Sequence, residues 1–208
     1  MKLKPTITLV IFAVTLMLSN LSWAQYAKQD TAYRKNFVGS TLFLLGNLSK
    51  TNTPDFIQLN YGRRLSGKDV VSLELKTWKY AWPLGIPWGD SFQAPEEEFP
   101  GYIREKGFAL VYQRFLWKGL YAGVHVMNAW QKFYAEDGKQ IDKGFQIFNT
   151  YRVGYHIKLL KDRFFVQPSI AITHRPYHTD MPESFRVLDD KWSKFFVGEP
   201  GLHFGYNF

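Results

Sequence analysis

The chain has 208 residues, a formal net charge of +8, 18% aromatic residues and no cysteine. That length suits one domain with a substantial buried or membrane-facing surface. The missing cysteines exclude a disulfide framework and a lipid-anchored N-terminal Cys, and Lys and Arg residues scattered singly exclude a nucleic-acid patch.

In chain order, Lys2 and Lys4 precede an uncharged apolar stretch from Thr6 to Leu18, and Ser22-Trp23-Ala24 before Gln25 fits the small-x-small rule of signal-peptidase cleavage. The stretch has 13 residues, well short of the roughly 20 that a spanning helix needs. The sequence therefore predicts a cleaved signal peptide over 1–24, a short periplasmic segment over 25–36 and a folded domain over 37–208.

Within that domain, period and punctuation predict eight strands at 37–48, 55–65, 69–80, 103–117, 120–133, 145–158, 164–174 and 195–208. Their connections alternate in length. Ser66-Gly67-Lys68, Lys118-Gly119 and 159–163 read as tight turns, and 49–54, 81–102, 134–144 and 175–194 as longer loops. Alternating tight and long connections predict an up-and-down topology with even strand number, the tight turns facing the periplasm.

Along the strands, side chains alternate between two unlike faces. Ile57, Leu59 and Tyr61 oppose Gln58, Asn60 and Gly62, and Val71, Leu73 and Leu75 oppose Ser72, Glu74 and Lys76. Tyr151 and Val153 oppose Arg152 and Gly154, and Ile170 and Ile172 oppose Ser169, Ala171 and Thr173. Leu42-Phe43-Leu44-Leu45 has no clean phase, and Pro168 predicts a bulge or an imperfect pairing, because proline donates no ladder hydrogen bond. The last strand alternates Leu202, Phe204, Tyr206 and Phe208 with Gly201, His203, Gly205 and Asn207. A polar face this continuous does not suit a hydrophobic core, and closure is what satisfies every backbone group in lipid. The expected fold is thus all-β, an antiparallel up-and-down eight-stranded transmembrane β-barrel.

The signal peptide, the alternating strands, the short and long connections and the terminal aromatic strand together resemble the small eight-stranded outer-membrane β-barrel proteins of Gram-negative bacteria. The resemblance implies location in the outer membrane with periplasmic termini. It also implies outer-membrane lipids and the barrel-assembly machinery as partners, the latter reading the terminal strand through Tyr206 and Phe208.

A barrel of eight strands is just filled by side chains, so no open pore is expected. The predicted interior network comprises Glu74, Lys76, Arg152, Glu199 and His203, with opposite charges paired. His125, His156 and His203 also point inward, but no Cys or nearby carboxylate completes a ligand set, so no metal and no cofactor are expected. Trp82 and Trp88, next to Pro83 and Pro87 in the loop 81–102, are candidate binding residues for a surface glycan or protein ligand. The favoured function is structural or surface interaction. The alternative is an outer-leaflet lipid-modifying enzyme, similar to lipid A deacylases or acyltransferases, with His174, His178, Glu183 and Ser184 as candidate catalytic groups, since nucleophile, base and carboxylate types occur together there.

Overall fold

The computed structural model describes residues 34–48, 53–80, 100–191 and 193–208. Nine antiparallel strands follow one another: β1 (Asn36–Thr41), β2 (Ile57–Arg64), β3 (Asp69–Tyr80), β4 (Gly101–Trp117), β5 (Leu120–Ala135), β6 (Gln140–Tyr155), β7 (Ile157–Leu159), β8 (Phe164–His178) and β9 (Phe195–Asn207). Each pairs with its neighbours in the order β6-β5-β4-β3-β2-β1-β9-β8-β7, and pairing of β6 with β8 closes the sheet into a ring. At the β1–β9 seam the closure reaches the last residue. Asn36 N–H donates to Phe208 O at 3.1 Å and Phe208 N–H returns a bond to Asn36 O at 2.9 Å.

Nine strands stand where eight were expected, and Pro168 supplies the reason. The β6–β8 register pairs Gly154 with Ser169, and the β7–β8 register resumes in step with Ile157 opposite Val166. Tyr155 and His156 in between have lost their pairing opposite Pro168 and Gln167. A proline cannot donate a ladder hydrogen bond, so the sixth run parts opposite it, and the His156 N–H turns to Gly119 O at 2.8 Å instead. Pro168 itself stays in register with Leu202 on β9. The bulge lies elsewhere, between Ala171 and Ile172, where β9 carries Gly198 at φ +92°.

The expected first strand, 37–48, is shorter than its apolar run. After Thr41 the backbone enters a 3-10 helix, Leu42–Leu48, in which residues three apart lie above one another. Leu42, Leu45 and Leu48 accordingly share its exposed side, and this is why no period of two could be read there. Asn47 ties the helix down: its side-chain carbonyl accepts from Phe56 N–H and its amide donates to Phe56 O, both at 2.8 Å.

On the opposite side of the ring the strands are longer than expected. β4, β5 and β6 have 17, 16 and 16 residues, so the loop expected at 134–144 shrinks to the turn 136–139. Asp137 accepts from Lys139 N–H at 2.8 Å and Gly138 sits at φ +80°, which its missing Cβ permits. β8 likewise runs on to His178, and an α-helix, α1 (Glu183–Asp189), then lies against the inside of this raised wall. Its Phe185 is buried with Tyr80, Ile103 and Phe133.

The faces follow the alternation. Ile57, Leu59, Leu73, Leu75, Leu110, Val153 and Ile170 are all exposed on the outside of the ring, whereas Gln58, Asn60, Glu74, Thr150, Arg152 and Thr173 are buried inside it. Among the described residues no helix is long and apolar enough to cross a membrane.

Candidate functional site

The interior is organised in three tiers. At the end carrying α1, Glu105 is 2% exposed and accepts from Trp78 Nε1 at 2.9 Å, Tyr80 Oη at 2.9 Å and Gln146 Nε2 at 2.6 Å. Gln131 Nε2 donates in turn to Tyr80 Oη at 2.7 Å. A buried carboxylate is tolerable only when hydrogen bonds replace its hydration, and three donors do so here. Beside it Arg175 holds Asp189 of α1 through two bonds, Nη1 to Oδ1 at 2.6 Å and Nη2 to Oδ2, with both side chains buried.

The middle tier gathers the predicted interior network. Arg152 donates to Glu199 Oε1 at 3.1 Å and to Ser169 Oγ at 2.9 Å. Thr173 Oγ1 donates to Glu199 Oε2 at 2.5 Å. Glu74 Oε2 faces His125 Nδ1 at 3.6 Å, and the His125 and His203 rings lie 6.4 Å apart. Lys76 departs from the expected charge pairing: its Nζ lies over the Trp78 ring at 5.0 Å and the Phe148 ring at 6.0 Å. These groups enclose a cavity of about 170 Å³, with a smaller one of about 30 Å³ next to it.

The third tier closes the other end. Asn207, fully buried, donates to Asp162 O at 2.8 Å and accepts from Arg64 Nη2 at 3.4 Å. Lys158 is half-exposed and pairs with Asp162 at 3.1 Å. His156 Nε2 stands 4.0 Å from Asp162 Oδ1, an electrostatic rather than a hydrogen-bonding distance. Its Nδ1 meets Gln167 Nε2 at 2.9 Å, and its ring packs on Phe165. Burial pushes the Asp162 carboxyl up, but the facing His156 and Lys158, with Arg64, outweigh it and hold the group below its usual range.

The three inward histidines are thus divided between two tiers, and among the described residues no group of three or more His, Asp or Glu is placed to hold a metal. The four candidate catalytic residues are not joined to one another. His174 stacks on Phe195 at 4.1 Å, His178 Nδ1 meets Thr179 O at 2.9 Å, Glu183 pairs with Arg186, and Ser184 lies exposed on α1. Trp82 and Trp88 fall outside the described residues.

Sequence reading missed Glu105, Gln131, Gln146, Arg175 and Asp189. Glu105 sits between Arg104 and Lys106, so charges occupy both faces and hide the alternation. Its register partner Gln131 lies two residues before Phe133 on the same buried face, and that spacing is the signal that could have placed both inside. No protein-family model, curated protein or solved structure matches the chain. What fold and interior define is a class: an all-β protein whose antiparallel sheet closes around a charged, hydrogen-bonded interior.

Proposed function

We infer that the protein is an outer-membrane β-barrel, closed to free diffusion, with a structural or surface-binding role. The observation that carries this reading is the reversed polarity of the ring. Large apolar side chains stand exposed all round its outer face, while ion pairs and amides fill its inside. In water such an apolar surface would far exceed what a monomer exposes; in lipid it is the solvated face.

Two further features agree. Phe108, Trp130, Phe145 and Tyr177 form a chain of ring contacts at 6.0, 5.5 and 6.3 Å across β4, β5, β6 and β8, the kind of aromatic girdle found at a membrane interface. Beyond it the outward positions turn polar, with Arg104 and Lys132. Ten residues separate Leu120 from Trp130 along β5, matching the roughly 9–11 that a tilted strand needs to cross. The surface-binding role rests on the sequence between β3 and β4, where Trp82 and Trp88 are the candidate contacts.

Fractionation of the producing cells tests the reading. The protein is expected in the outer-membrane fraction, lacking its first 24 residues. Recovery as a soluble periplasmic protein would overturn it. The lipid-modifying alternative is tested by incubating the refolded protein with labelled lipid A and phospholipid and measuring released or transferred acyl chains.

A further inference from the structure

The 170 Å³ cavity has two unlike sides. Phe43, Phe56, Trp78, Met127 and Phe148 supply the apolar lining, with Trp78 edge-on to Phe43 and Phe56 at 6.0 and 6.1 Å, and the Lys76 ammonium, over the Trp78 and Phe148 rings, stands among the polar groups. Its acceptors are already engaged: Glu199 takes bonds from Arg152 and Thr173, and Glu74 faces His125. Its donors are not. Among the described residues Lys76 has no ion pair within 4.0 Å and no hydrogen bond, its charge being felt by Glu74 only through space and its Nζ resting over two rings, and Arg152 Nε is a buried donor without a partner. Each such orphan is unfavourable where water is excluded.

We propose that this cavity is a binding site for a small monocarboxylate with an apolar body, its carboxylate on Lys76 and its body among Phe43, Phe56 and Phe148. A carboxylate offers acceptors only, on two oxygens, and so matches a wall that has spare donors. One negative charge matches one free ammonium. A ligand cation is disfavoured because Lys76 already occupies the Trp78 and Phe148 faces. The volume sets the size: an apolar cavity of about 150 Å³ takes up benzene, so benzoate or a short alkanoate fits.

The ladder beside this cavity is interrupted at the seam, which is where a ligand would enter. β1 leaves the ladder at Thr41, opposite His203, while β9 continues to Phe195. Along that stretch the 3-10 helix replaces a strand, and Pro200 offers no donor to a partner. Thr41 and Phe43 on one bank, and Pro200 and Gly201 on the other, line the cavity. The proposal concerns the interior alone and holds whether or not the ring lies in a membrane.

The test uses the refolded full domain labelled at its methionine methyl groups. Met127 lines the cavity and Met181 packs against the Tyr80–Phe185 cluster outside it. Titration with hexanoate or benzoate is expected to shift the Met127 methyl resonance saturably and leave Met181 in place, while hexanamide and hexylamine shift neither resonance. Lys76→Met is expected to weaken binding about tenfold or more, the loss of one charge-assisted bond, with Lys76→Arg retaining part of it. Hexanoic acid preloaded into the lipid, compared with hexanoate added to the buffer, distinguishes a membrane-borne acid from a water-borne one, and a Met127 shift from either source supports the site. No saturable shift with any of the acids, an equal response to hexanamide, or unchanged affinity in a Lys76→Met protein that keeps its native strand signal would overturn the proposal.

Discussion

Arg175 and Asp189 are the residues on which the position of α1 turns. Their side chains are 3% and 7% exposed, so removing one leaves the other charged, buried and alone. Asp189→Ala is expected to cost about 3–5 kcal/mol, and a paired Arg175→Met, Asp189→Leu protein to recover most of that. Equilibrium unfolding of the three proteins checks it, and a double variant no better than the single one would show that geometry rather than charge matters there. Asp162 makes a different prediction because its turn is accessible to titration. Its carboxyl is held below its ordinary range, so its contribution to stability is complete above the ordinary aspartate value and fades as pH falls through the lowered one. Unfolding followed from pH 6 downward should show this loss in the native protein and not in Asp162→Asn; identical profiles would remove Asp162 from the account.

Which elements were legible in the sequence follows from where side chains alternate cleanly. β2, β3, β8 and β9 have one apolar and one polar face, and the structure keeps those faces. The 3-10 helix was illegible as such because four successive apolar residues, Leu42 to Leu45, fit no period of two, and a period of three needs a longer run to be seen. The raised ends of β4, β5 and β6 were illegible because the residues that extend them, 101–102, 134–135 and 140–144, are too few or too mixed, as in Gln140-Ile141-Asp142-Lys143-Gly144, to show a period of two. Pro168 was legible as an irregularity, but its effect surfaced on the facing strand, splitting β6 from β7. Of the candidate site, Glu74, Arg152, Glu199 and His203 could be read from phase alone, whereas the ring stacking of Lys76 needed the third dimension.

At this scale Gly62 carries a prediction of its own. A Cβ there would stand 2.0 Å from the Phe37 ring, which fills the space between β1 and β2, whereas a Cβ at Gly67 meets nothing within 4 Å. Gly62→Ala is therefore expected to destabilise by about 1–3 kcal/mol through overpacking, and Gly67→Ala to be nearly neutral. Parallel unfolding measurements decide it, and equal effects would mean that Phe37 is free to swing aside.

For the whole molecule the decisive quantity is the solvent that the outer face meets. Ile170 and Val187 are similarly exposed, at 58% and 53%, but Ile170 stands on the wall of the ring and Val187 on α1. In water both positions would accept an arginine with little change, within about 0.5 kcal/mol. In a bilayer the two part company: Ile170→Arg carries a charge against lipid and is expected to cost about 2–4 kcal/mol near the midplane, while Val187→Arg stays close to neutral. Reversible unfolding from lipid vesicles measures both. A large penalty at Ile170 alone locates lipid against the wall, and two small penalties would mean that the apolar face is covered by something other than a membrane.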